Sequence, residues 1–139
     1  MALEQNQNNF KKISLGQTII KYQVPRDIFI TINRIYEKKY KNLVSANSKL
    51  AGKIEKEHSL FTRGKSKDSN FNVLSLDVLN WFEKMFTHYL KNTLPFNNHQ
   101  KQIVSIWVNE MKEHEYNPIH VHQGFLFTGL SSVMVLHLP

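Results

Sequence analysis

His120 and His122, separated by Val121, are the residues whose type and spacing are best suited to chemistry in this chain. Side chains alternate faces along an extended strand, so two imidazoles one residue apart project to the same side. Pro118 favours extended geometry at Asn117 before it, and Gly124 permits a sharp turn after it. The run from Glu115 to Gly124 therefore presents two neutral nitrogen donors side by side at the mouth of a turn. That is half of a metal site. His114 adds a third imidazole within nine residues. Spacing leaves a second origin open, because paired histidines also occur by chance or sit hydrogen-bonded in cores.

A second set lies just upstream, on an expected strand from Gln102 to Asn109. Ser105, Trp107 and Asn109 share one face of it, opposite Val104, Ile106 and Val108. One face is aliphatic, and the other is polar with an indole. Such a strand is expected to pack on helices behind and to line a pocket in front, with Trp107 and Asn109 as lining residues. Gly64-Lys65-Ser66 has the ending of a phosphate loop, but Ser59 stands where the first glycine of that motif is needed, which excludes it.

The elements that must hold these residues follow from pattern. Ile13–Leu15 and Thr18–Val24 read as two short strands around Gly16. Ile28, Ile32, Ile35 and Tyr36 recur at helical spacing, so a first helix is expected from Pro25 to about Tyr40. Residues 42–70 carry only sparse apolar anchors and read as irregular. Ser75 is a suitable N-cap for a second helix reaching Thr93, with Val78, Phe82, Met85, Phe86, Tyr89 and Leu90 on one stripe. His88 has no acidic neighbour at helical spacing and reads as a surface residue. Beyond Gly124 a last strand is expected from Ser131 to Leu138. The order of elements predicts an α+β architecture with helices packed on a sheet.

Length and composition bound the rest. The 139 residues, 41% hydrophobic, suffice for one domain with a real core. The polar, Asn- and Gln-rich start reads as a disordered leader, drawn at residues 1–12, before a single domain at 13–139. Zero cysteines exclude disulfides, zinc ribbons and thiol nucleophiles. No apolar run approaches the ~20 residues of a membrane span, and no signal peptide is visible. A soluble, cytoplasmic protein is expected. The net charge of +7 is spread over scattered lysines rather than clustered with aromatics. It reads as a solvated basic surface, and nucleic acid is not the expected partner.

The pattern Ile106-Trp107-Val108-Asn109, then Tyr116-Asn117-Pro118-Ile119-His120-Val121-His122-Gln123-Gly124, then Ser131 to Leu136 and Leu138-Pro139, resembles a known family. It is similar to the 2-oxoglutarate/Fe(II)-dependent oxygenases of tailed marine phages, and Leu50–Ile54 resembles a segment recurrent upstream in them. The resemblance covers roughly residues 13 to 139. It implies a double-stranded β-helix, or jelly-roll, preceded by helices. Fe(II) and 2-oxoglutarate are the implied cofactors, His120 the first iron ligand, and His122 a second ligand where the family usually has a carboxylate. The implied reaction is hydroxylation of a protein or peptide side chain. Only 17 residues follow His122, room for one or two strands where a jelly-roll needs about eight. The distal histidine and the basic residue that anchors 2-oxoglutarate are thus expected beyond Pro139, since His137 is a poor candidate for the third ligand. The expectation is an N-terminal part with an incomplete iron site, completed by a second chain or dimerised through its last strand. The alternatives are a non-catalytic cupin-like binding module and a basic phage accessory protein.

Overall fold

The structure, a computed structural model, describes residues 10–15, 17–39, 43, 54–64, 70–93, 100–118 and 129–137. It is a mixed α+β arrangement. Among the described residues, two helices accompany a two-stranded hairpin and a three-stranded antiparallel sheet. The chain divides into two compact units, Met1–Ile35 with Leu74–Ile103 and Tyr36–Val73 with Val104–Pro139.

In the first unit, β1 (Phe10–Leu15) and β2 (Gln17–Tyr22) form an antiparallel hairpin, with Phe10 opposite Tyr22 and Ile13 opposite Ile19. Strand β1 begins at Phe10, and Tyr22, Lys21 and Ile20 of β2 stand opposite Phe10, Lys11 and Lys12. Helix α1 (Arg26–Lys39) starts where Pro25 fixes the backbone, and the Pro25 carbonyl accepts the first helical bond from Phe29 N–H at 3.0 Å. Asp27 in its first turn suits the positive end of the helix. Ile28 and Ile32 are its buried positions.

Helix α2 (Leu76–Thr93) begins one residue after Ser75, whose carbonyl accepts the Leu79 N–H. Val78, Phe82 and Leu90 are its buried side chains. Phe86 is only half-buried, so the apolar stripe is narrower than periodicity suggests. Polar clasps join the hairpin to this helix. Tyr89 donates from its hydroxyl to the Thr18 carbonyl at 2.8 Å. The Tyr22 hydroxyl lies 2.9 Å from His88 Nδ1 and 3.3 Å from the Met85 carbonyl. His88 is thus not the free surface residue its helical neighbours imply, since its partner stands 66 positions away. Burial, and then the neighbouring Tyr89, push the Tyr22 phenol above its ordinary pKa, so it remains a donor.

In the second unit, β3 (Lys56–Thr62) is the central strand, between β4 (Phe71–Asn72) and β5 (Ser105–Glu110), and both pairings are antiparallel. Leu43, Ile54 and Leu60 are buried here, Leu60 almost completely. The segment expected as a last strand, Ser131 to Leu138, is described to His137. Residues 131–137 belong to neither sheet, and Val133 is 93% exposed. The β-branched composition that suggested a strand is only a fitness for pairing, and among the described residues this segment has no ladder partner.

Phe82→Ala is expected to cost about 3–5 kcal/mol, the range for emptying a buried phenylalanine site, and Phe86→Ala clearly less. Urea melts of the two variants check this. Equal losses would place both rings in the same environment and contradict the packing of α2.

Candidate functional site

The register of β3 against β5 determines which side chains can act together. Glu57 stands opposite Asn109, Ser59 opposite Trp107, and Thr62 opposite Ser105. Directly opposed residues in a ladder share a face, so these six line one side of the sheet. A bulge at Leu60 makes this arrangement work. Ser59 pairs with Trp107 and Phe61 with the adjacent Ile106, leaving Leu60 as the extra residue. The bulge shifts side-chain parity by one, which is why Ser59 and Thr62, three apart, meet hydroxyl to hydroxyl at 2.7 Å.

This face is polar and largely enclosed at one end. Glu57 is 5% exposed and Ser59 9%. Trp107 is 38% exposed at the more open part. The side-chain oxygen of Asn109 is buried and accepts no hydrogen bond. The alternation visible in the sequence placed Trp107 and Asn109 on one face, and so they are. Glu57 and Ser59 escaped notice because their strand was read as irregular. The polar composition of Lys56-Glu57-His58-Ser59 hides a strand whose buried residues are themselves polar.

The opposite face carries Lys56, His58, Val108 and Glu110, and there the charges satisfy one another. Lys56 Nζ donates to Glu110 Oε1 at 2.7 Å, directly across the ladder. Tyr36, near the end of α1, donates its hydroxyl to Glu110 Oε2 at 3.1 Å, and its ring lies 6.5 Å from the His58 ring. The Lys56 hydrogen bond holds the Glu110 carboxyl below its usual range; partial burial opposes this and the Tyr36 hydrogen bond adds to it. The aliphatic residues Ile106 and Val108 are half-buried on this side, while Val104 is 47% exposed.

Beyond β5 the chain turns toward the histidine run through a clasped loop. The Glu115 N–H donates to the Lys112 carbonyl at 3.1 Å. The Glu115 carboxylate accepts two backbone N–H groups, from Lys112 at 2.7 Å and from Glu55 at 2.9 Å. Lys112 Nζ donates to Glu55 Oε2, and that carboxylate raises the lysine's pKa. His114, the third residue of this turn, has a φ of 66°, a position that turns give preferentially to glycine or asparagine. Its ring is exposed, with Nε2 lying 3.5 Å from Glu113 Oε1. His114 therefore serves the turn.

His120 and His122, the expected metal ligands, lie outside the described residues. Among the described residues no group of three His, Cys, Asp or Glu side chains could hold a metal ion, and no helix is long and apolar enough to cross a membrane. The chain matches no protein-family model, no curated protein and no solved structure.

Two outcomes follow from this geometry. His114→Gly is expected to stabilise the protein by about 0.5–1 kcal/mol, because glycine adopts positive φ without a Cβ clash; a lower melting temperature would mean the histidine ring contributes more than the turn costs. The second concerns pH. The folded pKa of Glu110 is depressed, so its contribution to stability is present above the ordinary value of 4.5 and fades as pH falls through the lower folded value. Lys56→Met should raise that pKa toward the ordinary value, as read by carboxyl NMR titration, and should flatten the acid limb of the stability profile. An unmoved Glu110 titration would show that Lys56 does not hold it.

Proposed function

We propose that this chain is a 2-oxoglutarate/Fe(II)-dependent oxygenase-type domain with a double-stranded β-helix core, acting on a protein or peptide side chain. The observation that carries the reading is the Tyr116-Asn117-Pro118-x-His120-x-His122 run, which follows a strand whose polar face presents Trp107 and Asn109. The half-buried face of that strand has the mixed character of a small-molecule site, with an indole, hydroxyls, an amide and one carboxylate. The described residues do not by themselves furnish an iron site, and no reaction step is derived through the metal. What the described residues supply is shape and polarity: an indole wall, a buried amide oxygen and a loop clasped by Glu115 ahead of the histidines.

A second reading, a cupin-like module that binds without turnover, is favoured by one observation. The buried Asn109 oxygen lacks a donor and would be satisfied by any suitable ligand, whether or not it reacts.

Titration calorimetry with Mn(II) in place of Fe(II) tests the first reading. Wild type is expected to bind, weakly if only two protein ligands contribute, and His120→Ala and His122→Ala to lose that heat. An anaerobic mixture of the chain with Fe(II) and 2-oxoglutarate should develop a visible charge-transfer band. Equal heats from wild type and both variants would remove the two histidines from any metal site. Metal binding with no response to 2-oxoglutarate would leave the binding-module reading in place.

A further inference from the structure

We propose that the outward row of helix α1, Arg26, Ile30 and Arg34, is a docking ridge for an acidic helix of another protein, one whose own exposed row reads carboxylate, apolar residue, carboxylate. The inference goes beyond the oxygenase reading and does not rest on it.

Ile28 and Ile32 turn one face of α1 inward, where they are buried. Arg26, Ile30 and Arg34 recur every four residues on the other side, and all three are exposed. Residues four apart stand one above the other on a helix, at steps of about 6 Å, and form a ridge of the kind that packs against a second helix. Half-buried Phe29 and Asn33 bound the ridge on one side and half-buried Thr31 on the other. Ile30, at its centre, is 39% exposed between two cations. Among the described residues neither guanidinium forms an ion pair or a side-chain hydrogen bond.

The sequence around the ridge supplies little counter-charge. From Gln5 to Ile35 the chain carries five basic residues, Lys11, Lys12, Lys21, Arg26 and Arg34, against one acidic residue, Asp27. Asp27 lies in the first turn, where the positive end of the helix engages it.

Charge decides the occupant. A second copy of the chain does not fit. Antiparallel pairing about Ile30 would set Arg26 of one copy beside Arg34 of the other, and parallel pairing would set each arginine against itself. A membrane surface calls for a broad apolar face, and this ridge offers a single isoleucine. A nucleic acid presents an unbroken line of phosphates, which Asp27, exposed beside Arg26, opposes. Two discrete carboxylates about 12 Å apart on a helix, with an apolar side chain between them, match the ridge position by position. Each arginine can take a carboxylate through its fork of N–H donors.

The test uses the full chain and a fluorescein-labelled, alanine-based helical peptide in which Glu, Leu and Glu stand four residues apart. Anisotropy should show saturable binding that weakens as salt rises. A Gln-Leu-Gln peptide should bind about fivefold or more weakly, the loss that two exposed ion pairs allow. A Glu-Ala-Glu peptide should also bind more weakly, since Ile30 then lacks its apolar partner. Arg26→Glu combined with Arg34→Glu changes exposed positions only. It should abolish binding of the acidic peptide and create binding of a Lys-Leu-Lys peptide. Duplex DNA and phosphatidylserine vesicles, added as competitors at matched charge, should leave the peptide bound. No saturable binding, equal binding of the Glu and Gln peptides, or acidic-peptide binding that survives the double charge reversal would overturn the proposal. Displacement by DNA or vesicles would overturn it as well, by assigning the ridge to a polyanion.

Discussion

The pairing of β3 with β5 is the constraint on which the second unit depends. It fixes Glu57 opposite Asn109 and Lys56 opposite Glu110 on neighbouring rungs, so two polar pairs are forced onto opposite faces by the pleat alone. The bulge at Leu60 then resets parity, sending Thr62 to the same side as Ser59 and leaving Leu60 as a buried apolar plug. Were Leu60 instead to take a rung of its own opposite Ile106, every position beyond Ser59 would change faces. Thr62 would then leave its hydroxyl partner, and Phe61 would replace it on the polar side. One bulged residue thus keeps Thr62 beside Ser59 and Phe61 on the other face.

The end of this ladder is where the chain leaves for the histidine run, and it is held by several charge-assisted contacts within a few residues. Lys56 with Glu110, Lys112 with Glu55, and Glu115 on two backbone N–H groups all lie at the start of β3 and just past β5. Each is exposed or half-exposed, and single exposed pairs of this kind contribute little. Their arrangement matters more than their sum. The Glu115 carboxylate satisfies backbone donors that the turn would otherwise leave to water, and it does so from both sides of the loop. The positive φ at His114 is the local cost of making that turn without glycine. The loop's geometry is thus over-determined, as suits a segment that leads into a candidate site.

Much of this was legible in the sequence, for physical reasons that also explain what was not. The two helices announced themselves through Pro25, Ser75 and the spacing of Ile28, Ile32, Val78 and Phe82, because burial of one helical face leaves a 3.6-residue signature. Strand β5 was legible because its faces differ in polarity, and that difference placed Trp107 and Asn109 together. Strand β3 was invisible for the opposite reason. Its buried positions include Glu57 and Ser59, and its bulge breaks the alternation just where Leu60 and Phe61 would have revealed it. Long-range partners were equally hidden, since neither Tyr36 with Glu110 nor Tyr22 with His88 has any local signal in the chain. Residues 131–137 misled in the other direction, because β-branched side chains report a capacity for pairing and not a partner.

The two faces of the β3–β5 ladder carry different sets of polar groups. On one face Lys56 and Glu110 bond across the strands, and Tyr36 takes up the second carboxylate oxygen. This is how a sheet disposes of charge when stability is the only demand. On the other face, one rung away, a carboxylate sits opposite an amide whose buried oxygen accepts nothing. An apolar pair of similar volume would fill the same space without the desolvation that a carboxylate and an unmet amide incur. The Asn109 oxygen, buried and without a donor among the described residues, is an acceptor that the packing of this face leaves open.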